Sequence, residues 1–135
     1  MTIKIDDKDV QMTEQNKYYL RGTNFIVEIV RTLREGHNIM PNENAWCLYV
    51  IIGEKHSLYR KACMNTSDYD TELGDKIYPN FHCGCTYYKK ETRQVKIGCD
   101  YQHLGDEYIY QNLSTDIPDE ILQDAKDLYK WFKEN

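Results

Sequence analysis

Residues 81–106, FHCGCTYYKKETRQVKIGCDYQHLGD, decide how this chain folds. Tyr87 and Tyr88 end one strand-like run, KKETRQ supplies polar turn residues, and VKIGCDY resumes the apolar pattern. An antiparallel hairpin turning near Glu91 and Thr92 is the economical reading. Tyr88 then faces Val95, Thr86 faces Ile97 and Cys83 faces Asp100, give or take one residue of register. His82 falls beside Asp100 and Tyr101, and His103 and Asp106 follow within one loop. The side chains of His82, Asp100, His103 and Asp106 are expected to meet at the open end of the hairpin.

A hairpin needs further strands and a cover, and the flanking sequence offers both. The segment 45–52, AWCLYVII, is short, β-branched and aromatic, and reads as a buried strand ending at Gly53, with Trp46, Leu48, Val50 and Ile52 on one face. In TNFIVEIVRTLRE (23–35), Phe25, Ile26, Ile29, Val30 and Leu33 recur at helical spacing. Thr23 or Asn24 as N-cap and Gly36 as stop complete a predicted amphipathic helix. Near the C-terminus, Thr115 or Asp116 caps a helix with Pro118 in its first turn. Ile121, Leu122, Ala125, Leu128 and Phe132 form its inward stripe, with Lys130 and Lys133 near the negative end of the dipole. The stretch 53–80 has no sustained period and reads as a long loop with at most short strands. The expectation is one α+β domain over 1–135. Its small antiparallel β-sheet, holding 45–52, 81–88 and 95–101, packs against an N-terminal helix near 23–35 and a C-terminal helix over 118–133.

Composition agrees with a folded domain and excludes some functions. With 135 residues, 41% hydrophobic and 29% charged, the chain is long enough to bury a core without staples. Twelve tyrosines favour strands over a plain helical bundle. A net charge of -5 argues against duplex nucleic acid, which needs clustered cations. No apolar run reaches signal-peptide or membrane-spanning length, so no membrane partner and a cytoplasmic location are expected. Five cysteines without an export signal read as reduced thiols.

Several conspicuous residues have plain structural readings. Cys83, Cys85 and Cys99 with a histidine would make a zinc site, but no second paired knuckle is present. On a strand, a metal reaches both Cys83 and Cys85 only at a bend, so no metal is assigned. Cys47, Cys63, Cys85 and Cys99 read as small buried hydrophobes. Trp46 and Trp131 read as core, His37 as a surface or capping histidine, and Asp106 as a turn cap. Lys17, Arg21, Arg31 and Arg34 read as a solvated basic side, with Arg31 and Arg34 able to meet a phosphate in an oligomer.

The string His82-Cys83-Gly84-Cys85-Thr86-Tyr87 resembles the H-G-G-x-T-Y segment of a family of small, uncharacterised bacteriophage proteins. Residues 98–106, GCDYQHLGD, resemble its companion G-F-D-x-A-H-x-G-D, and 45–50 with 54–59 resemble its W-C-G-Y-V strand and E-G-H-P-L-Y turn. Cys83 stands where that family has Gly, Ser57 where it has Pro, Leu48 where it has Gly and Gln102 where it often has Ala. The resemblance spans 45–106 and implies a role against host defence in the host cytoplasm, where nucleotide immune signals are captured or cleaved.

The residue types admit four chemistries. In ligand capture, His56, His82 and His103 donate to phosphates, Asp100 or Asp106 accepts from ribose hydroxyls or a base, Thr86 lines the pocket, and Tyr59, Tyr87 or Tyr101 stacks on a base. In phosphodiester cleavage, His82 and His103 act as acid and base, oriented by Asp100. In metal-assisted hydrolysis, His82, Asp100, His103 and Asp106 hold zinc or manganese, the one case that needs a cofactor. In the last, the protein inhibits a host factor by surface contact. Capture of a small phosphorylated nucleotide by a homo-oligomer is the leading expectation, because no motif dictates a nucleophile, a metal cage or a phosphate-cradling loop.

Overall fold

The computed structural model describes residues 2–3, 13–36, 38–64 and 71–135. Within them, six strands form one antiparallel sheet in the spatial order β1-β2-β3-β4-β6-β5. The strands are β1 (Thr2–Ile3), β2 (Thr13–Arg21), β3 (Phe25–Arg34), β4 (Glu43–Gly53), β5 (Tyr87–Glu91) and β6 (Gln94–Asp100). Helices α1 (Tyr59–Ala62), α2 (Glu72–Ile77), α3 (Glu107–Tyr110) and α4 (Asp119–Glu134) complete the α+β fold. No helix among the described residues is long and apolar enough to cross a membrane.

The predicted helix over 23–35 is strand β3. Its apolar residues satisfy a period of two as well as the helical one, and the pairing decides. Phe25 sits opposite Ile52, Val27 opposite Val50 and Ile29 opposite Leu48, all six buried. β2, unforeseen in the sequence, pairs with the other side of β3 from Arg21↔Ile26 to Thr13↔Arg34. Asn24 is not a helix cap: with φ 65° it sits in the tight turn closed by the Gly22 N–H to the Phe25 carbonyl. β-branched and aromatic side chains between two partner strands gain more from cross-strand packing than from a helical turn.

β4 follows its expectation, with Trp46, Leu48, Val50 and Ile52 buried together on the face that meets α4. α4 contributes Ile121, Ala125, Leu128 and Phe132 to that core, while Leu122 is half-buried. Its N-cap is Pro118, and no side chain caps it. Burying each large apolar side chain contributes about 1.5–3 kcal/mol, against about 1 kcal/mol for a cap, so packing fixes the helix without one. Trp131 is only partly buried, its indole N–H donating to the Ile77 carbonyl at 3.0 Å. The loop expected over 53–80 contains α1 and α2; they were missed because four and six residues are too few to show a period.

The hairpin exists with a different register. The turn lies at Thr92–Arg93, between the paired Glu91 and Gln94, with Arg93 at φ 68°. Tyr88 therefore pairs with Ile97 rather than Val95. That slip of two keeps every side chain on its expected face. Only Tyr87 onward is strand; the expected strand residues 81–86 form a turn and an extended lead-in.

The sheet face turned away from α4 is the more polar of the two, with Glu28 and Lys96 among Ile26, Val30 and Ile51. There Lys96 approaches the buried Glu28 carboxylate at 2.9 Å and lies 4.2 Å from the Tyr49 ring centroid. Arg31, expected on a solvated face, is instead buried: its guanidinium donates to Asn44 Oδ1 at 3.0 Å and Asn16 Oδ1 at 2.8 Å. His37 lies outside the described residues.

Candidate functional site

His82 is placed by a turn whose ends are pinned. Phe81 is buried edge-on against Tyr78, centroids 4.9 Å apart, and its carbonyl accepts the Gly84 N–H at 2.8 Å. Cys83 occupies the third turn position with φ 56°, and Gly84 follows at φ 90°. A left-handed third position is what a type II turn demands and where glycine is easiest. Asp75 on α2 accepts the Cys85 N–H at 2.7 Å, which fixes the exit of the turn. Behind His82 lies the buried Tyr101 ring, stacked at 4.5 Å with an interplanar angle of 18°.

Asp106 draws the two site histidines together. Nε2 of His82 lies 3.0 and 2.9 Å from its two carboxylate oxygens, and Nδ1 of His103 lies 3.2 Å from Oδ2. The His103 backbone N–H donates to the same Oδ2 at 3.0 Å. Asp106 itself is buried. Burial alone would raise its carboxyl, but the hydrogen bonds from His82 and from the His103 backbone, with the charge of His82, outweigh it and hold the pKa below the usual aspartate value. An ionised carboxylate only accepts, so His82 donates through Nε2 and His103 through Nδ1. Each ring keeps one nitrogen outside the Asp106 contact: Nδ1 of His82 and Nε2 of His103.

Asp100 stands on the rim. Its Oδ1 accepts the Gln102 N–H at 3.2 Å and lies 3.5 Å from Nε2 of His103, while Oδ2 accepts from the Thr86 hydroxyl at 3.2 Å. Asp106, read from the sequence as a turn cap, accepts the His103 backbone N–H of its own turn, makes no side-chain cap bond to α3, and serves both histidine rings as well. Thus His82, Thr86, Asp100, His103 and Asp106 are brought together, as the convergence at the hairpin mouth predicted.

Of the four other predicted ligand residues, His56 and Tyr59 lie away from this cluster, Tyr87 follows Thr86 along the strand and Tyr101 lies beneath His82. His56 follows β4 at the end away from Cys47 and Asp100, about 20 Å along the strand at 3.4 Å per residue. Its ring is spent on structure: Nε2 donates to the Phe132 carbonyl at 2.8 Å and Nδ1 accepts the Leu58 N–H at 3.1 Å. Tyr59 belongs to α1 near that same end. Tyr87 lies on the polar face, edge-on to Tyr49 at 5.1 Å. Tyr101 is buried beneath His82, its hydroxyl donating to Asp124 Oδ2 at 2.7 Å, so no base can stack on it. Tyrosine content carries no facing information, and these three were chosen by type alone.

Cys83 is the residue that sequence reasoning undervalued. Exposed in the turn, it brings its Sγ within 4.8 Å of one ring nitrogen each from His82 and His103, which are themselves within that distance of each other. The bend that the expected strand lacked is the turn just described. Cys85 and Cys99 point elsewhere, both buried, with their thiols pushed up chiefly by burial. Cys47 and Cys63, expected to be buried, are partly exposed. A glycine-type turn position held by cysteine was the available signal.

Beside the cluster, Tyr78, Asn80, Asp124, Asp127, Lys130, Trp131 and Glu134 line a cleft of about 310 Å³. Three carboxylates against one lysine make it a poor seat for phosphate. No family model, curated protein or solved structure matches this chain.

Proposed function

We propose that this protein binds a small phosphorylated nucleotide at the His82–Asp106–His103 cluster and sequesters it intact, as a bacteriophage anti-defence protein would sequester an immune signal in the host cytoplasm. One observation carries the reading. A single carboxylate orients both imidazoles and leaves one nitrogen of each for a ligand. Protonated, those nitrogens donate to phosphate oxygens with a charge-assisted bond. Thr86 and Asp100 on the rim supply a hydroxyl and an acceptor for a ribose.

Capture is favoured over acid–base cleavage by the same tether. Cleavage needs imidazoles on opposite sides of a phosphate, whereas Asp106 holds these two beside each other, with centroids 5.6 Å apart. The Thr86 hydroxyl is bonded to Asp100, not to a histidine that would activate it. The cluster opens at the surface, and Leu104, beside His103, is 98% exposed. Enclosure of the nucleotide thus falls to a second copy, and the working species is a homo-oligomer.

The test is to incubate the protein with cyclic and linear dinucleotides and ADP-ribose derivatives in chelator, remove free ligand, heat-denature and chromatograph what is released. Intact nucleotide in stoichiometric amount, lost in His103→Ala, is expected. Recovery of products, or of no nucleotide at all, overturns the reading. Sedimentation that shows only monomer with nucleotide bound overturns the oligomer. A metal-assisted hydrolase is the second reading, favoured by the approach of Cys83 to both rings. It requires products that disappear with chelator.

A further inference from the structure

We infer that His82, Cys83 and His103 form a mononuclear zinc site with an open fourth position. The three residues each offer one ligand atom, and all three atoms lie within 4.8 Å of one another. Zinc takes imidazole nitrogen at about 2.0–2.1 Å and thiolate sulfur at about 2.3 Å, so a tetrahedral site sets its ligand atoms on the order of 3.3–3.6 Å apart. Cys83, whose side chain is exposed, has room to change rotamer and take up its share of that contraction. A soft thiolate with two imidazoles selects zinc over magnesium, calcium or manganese.

The surroundings of the rings match what metal-bound histidines require. Such a histidine donates its other ring N–H to a carboxylate or carbonyl, which fixes the tautomer and turns the lone pair outward. Asp106 does this for both rings at once, at Nε2 of His82 and at Nδ1 of His103. On that arrangement the nitrogens left over for the metal are Nδ1 of His82 and Nε2 of His103. Asp106 is buried and spends its two carboxylate oxygens on the His82 ring, the His103 ring and the His103 backbone N–H, so it orients without coordinating. Asp100 Oδ1, 3.5 Å from Nε2 of His103, stands where it would accept from a water in the fourth position.

Sequence adjacency of His82 and Cys83 gives this chemistry its backbone. The turn at φ 56° swings the Cys83 side chain out of the strand direction and toward its neighbour's ring, a placement no extended strand provides. On binding, the metal replaces the Cys83 thiol proton, which leaves to solvent, and the two neutral rings bind through lone pairs with no change in their Asp106 bonds.

The experiment uses reduced, chelator-dialysed full-length protein and zinc alone, titrated against a chromophoric chelator, with cobalt(II) in a parallel titration. One equivalent of zinc per chain is expected, together with a thiolate-to-cobalt charge-transfer band in the near ultraviolet. Cys83→Gly removes one ligand while relieving the left-handed turn position. It should lose the cobalt band and weaken zinc at least tenfold, with a thermal midpoint in chelator no lower than that of the parent. Asp106→Asn should weaken zinc by about 10–100-fold. Absence of binding at micromolar zinc, or Cys83→Gly binding zinc as tightly as the parent, overturns the site. The inference does not need a nucleotide, and zinc takes as bare lone pairs the same two ring nitrogens that a phosphate would take protonated, so the two occupants exclude each other at those atoms. Zinc binding without nucleotide retention sinks only the capture reading, and nucleotide retention without zinc binding sinks only the metal.

Discussion

The imidazole of His82 lies nearly flat on the phenol of Tyr101, and that phenol is hydrogen-bonded on its far side to Asp124 of the C-terminal helix. The site is therefore backed by a column running from the surface turn through the core to α4. Truncating the middle of the column should damage both site and fold. Tyr101→Ala leaves a large cavity and is expected to cost about 3–5 kcal/mol, read by urea denaturation, with loss of binding. Tyr101→Phe keeps the platform and loses only the bond to Asp124, an expected cost of about 1–3 kcal/mol with ligand binding retained. Equal losses of binding in the two variants would refute the platform role.

Asp106 and Asp124 predict opposite responses to acid. The Asp106 carboxyl is held below its unfolded value, so its contribution is complete above about pH 4 and disappears as pH falls through the lower folded value. Asp124 is raised, first by burial and then against the bond from Tyr101, so its ionisation costs stability that returns as pH falls below its folded value. Melting temperatures measured from pH 7 to pH 2 should show a shallower acid decline in Asp106→Asn than in the parent. Asp124→Asn, which keeps an acceptor for Tyr101, should be at least as stable as the parent at pH 7. A steeper acid decline in Asp106→Asn would contradict the assignment.

His56 supplies the control that its sequence pattern concealed. Its ring bonds the carbonyl of Phe132 and the N–H of Leu58 and packs on Phe25 and Phe132. His56→Ala should lower the melting temperature while leaving zinc and nucleotide binding unchanged. Loss of binding in a variant as stable as the parent would place His56 back in the site.

On the polar face, Lys96 is 2.9 Å from the buried Glu28 carboxylate, without hydrogen-bond alignment, and also sits over the Tyr49 ring. Lys96→Met strands a buried charge, and an expected cost of about 3–5 kcal/mol follows. Adding Glu28→Gln should recover most of the loss. A double variant no more stable than the single one would show that the pair is not coupled.

What the sequence made legible follows a rule visible in single residues. β4 and α4 were readable because Trp46, Leu48, Val50 and Ile52 alternate cleanly and Ile121, Ala125, Leu128 and Phe132 keep one helical stripe. β3 was misread because FIVEIV satisfies both periods, and only its partners on either side break the tie. At the site, His82, Asp100, His103 and Asp106 were found because a hairpin converts sequence symmetry into proximity. His56 and Tyr59 fall at the other end of the sheet and Tyr101 lies beneath His82, since a residue type says nothing about the end or face of the sheet it occupies. Cys83 escaped because its contribution depends on one left-handed dihedral angle.

One of the two edge strands, β5, has five residues, and its last three, Lys89, Lys90 and Glu91, are exposed charges. An open strand edge offers unpaired amides and carbonyls to any passing chain, and short length with charged side chains is how such an edge is kept from aggregating. Brevity and charge thus count against continuing the sheet into a second copy along β5. Crowding at high concentration is expected to yield no fibres, since this edge gives a second chain little to pair with.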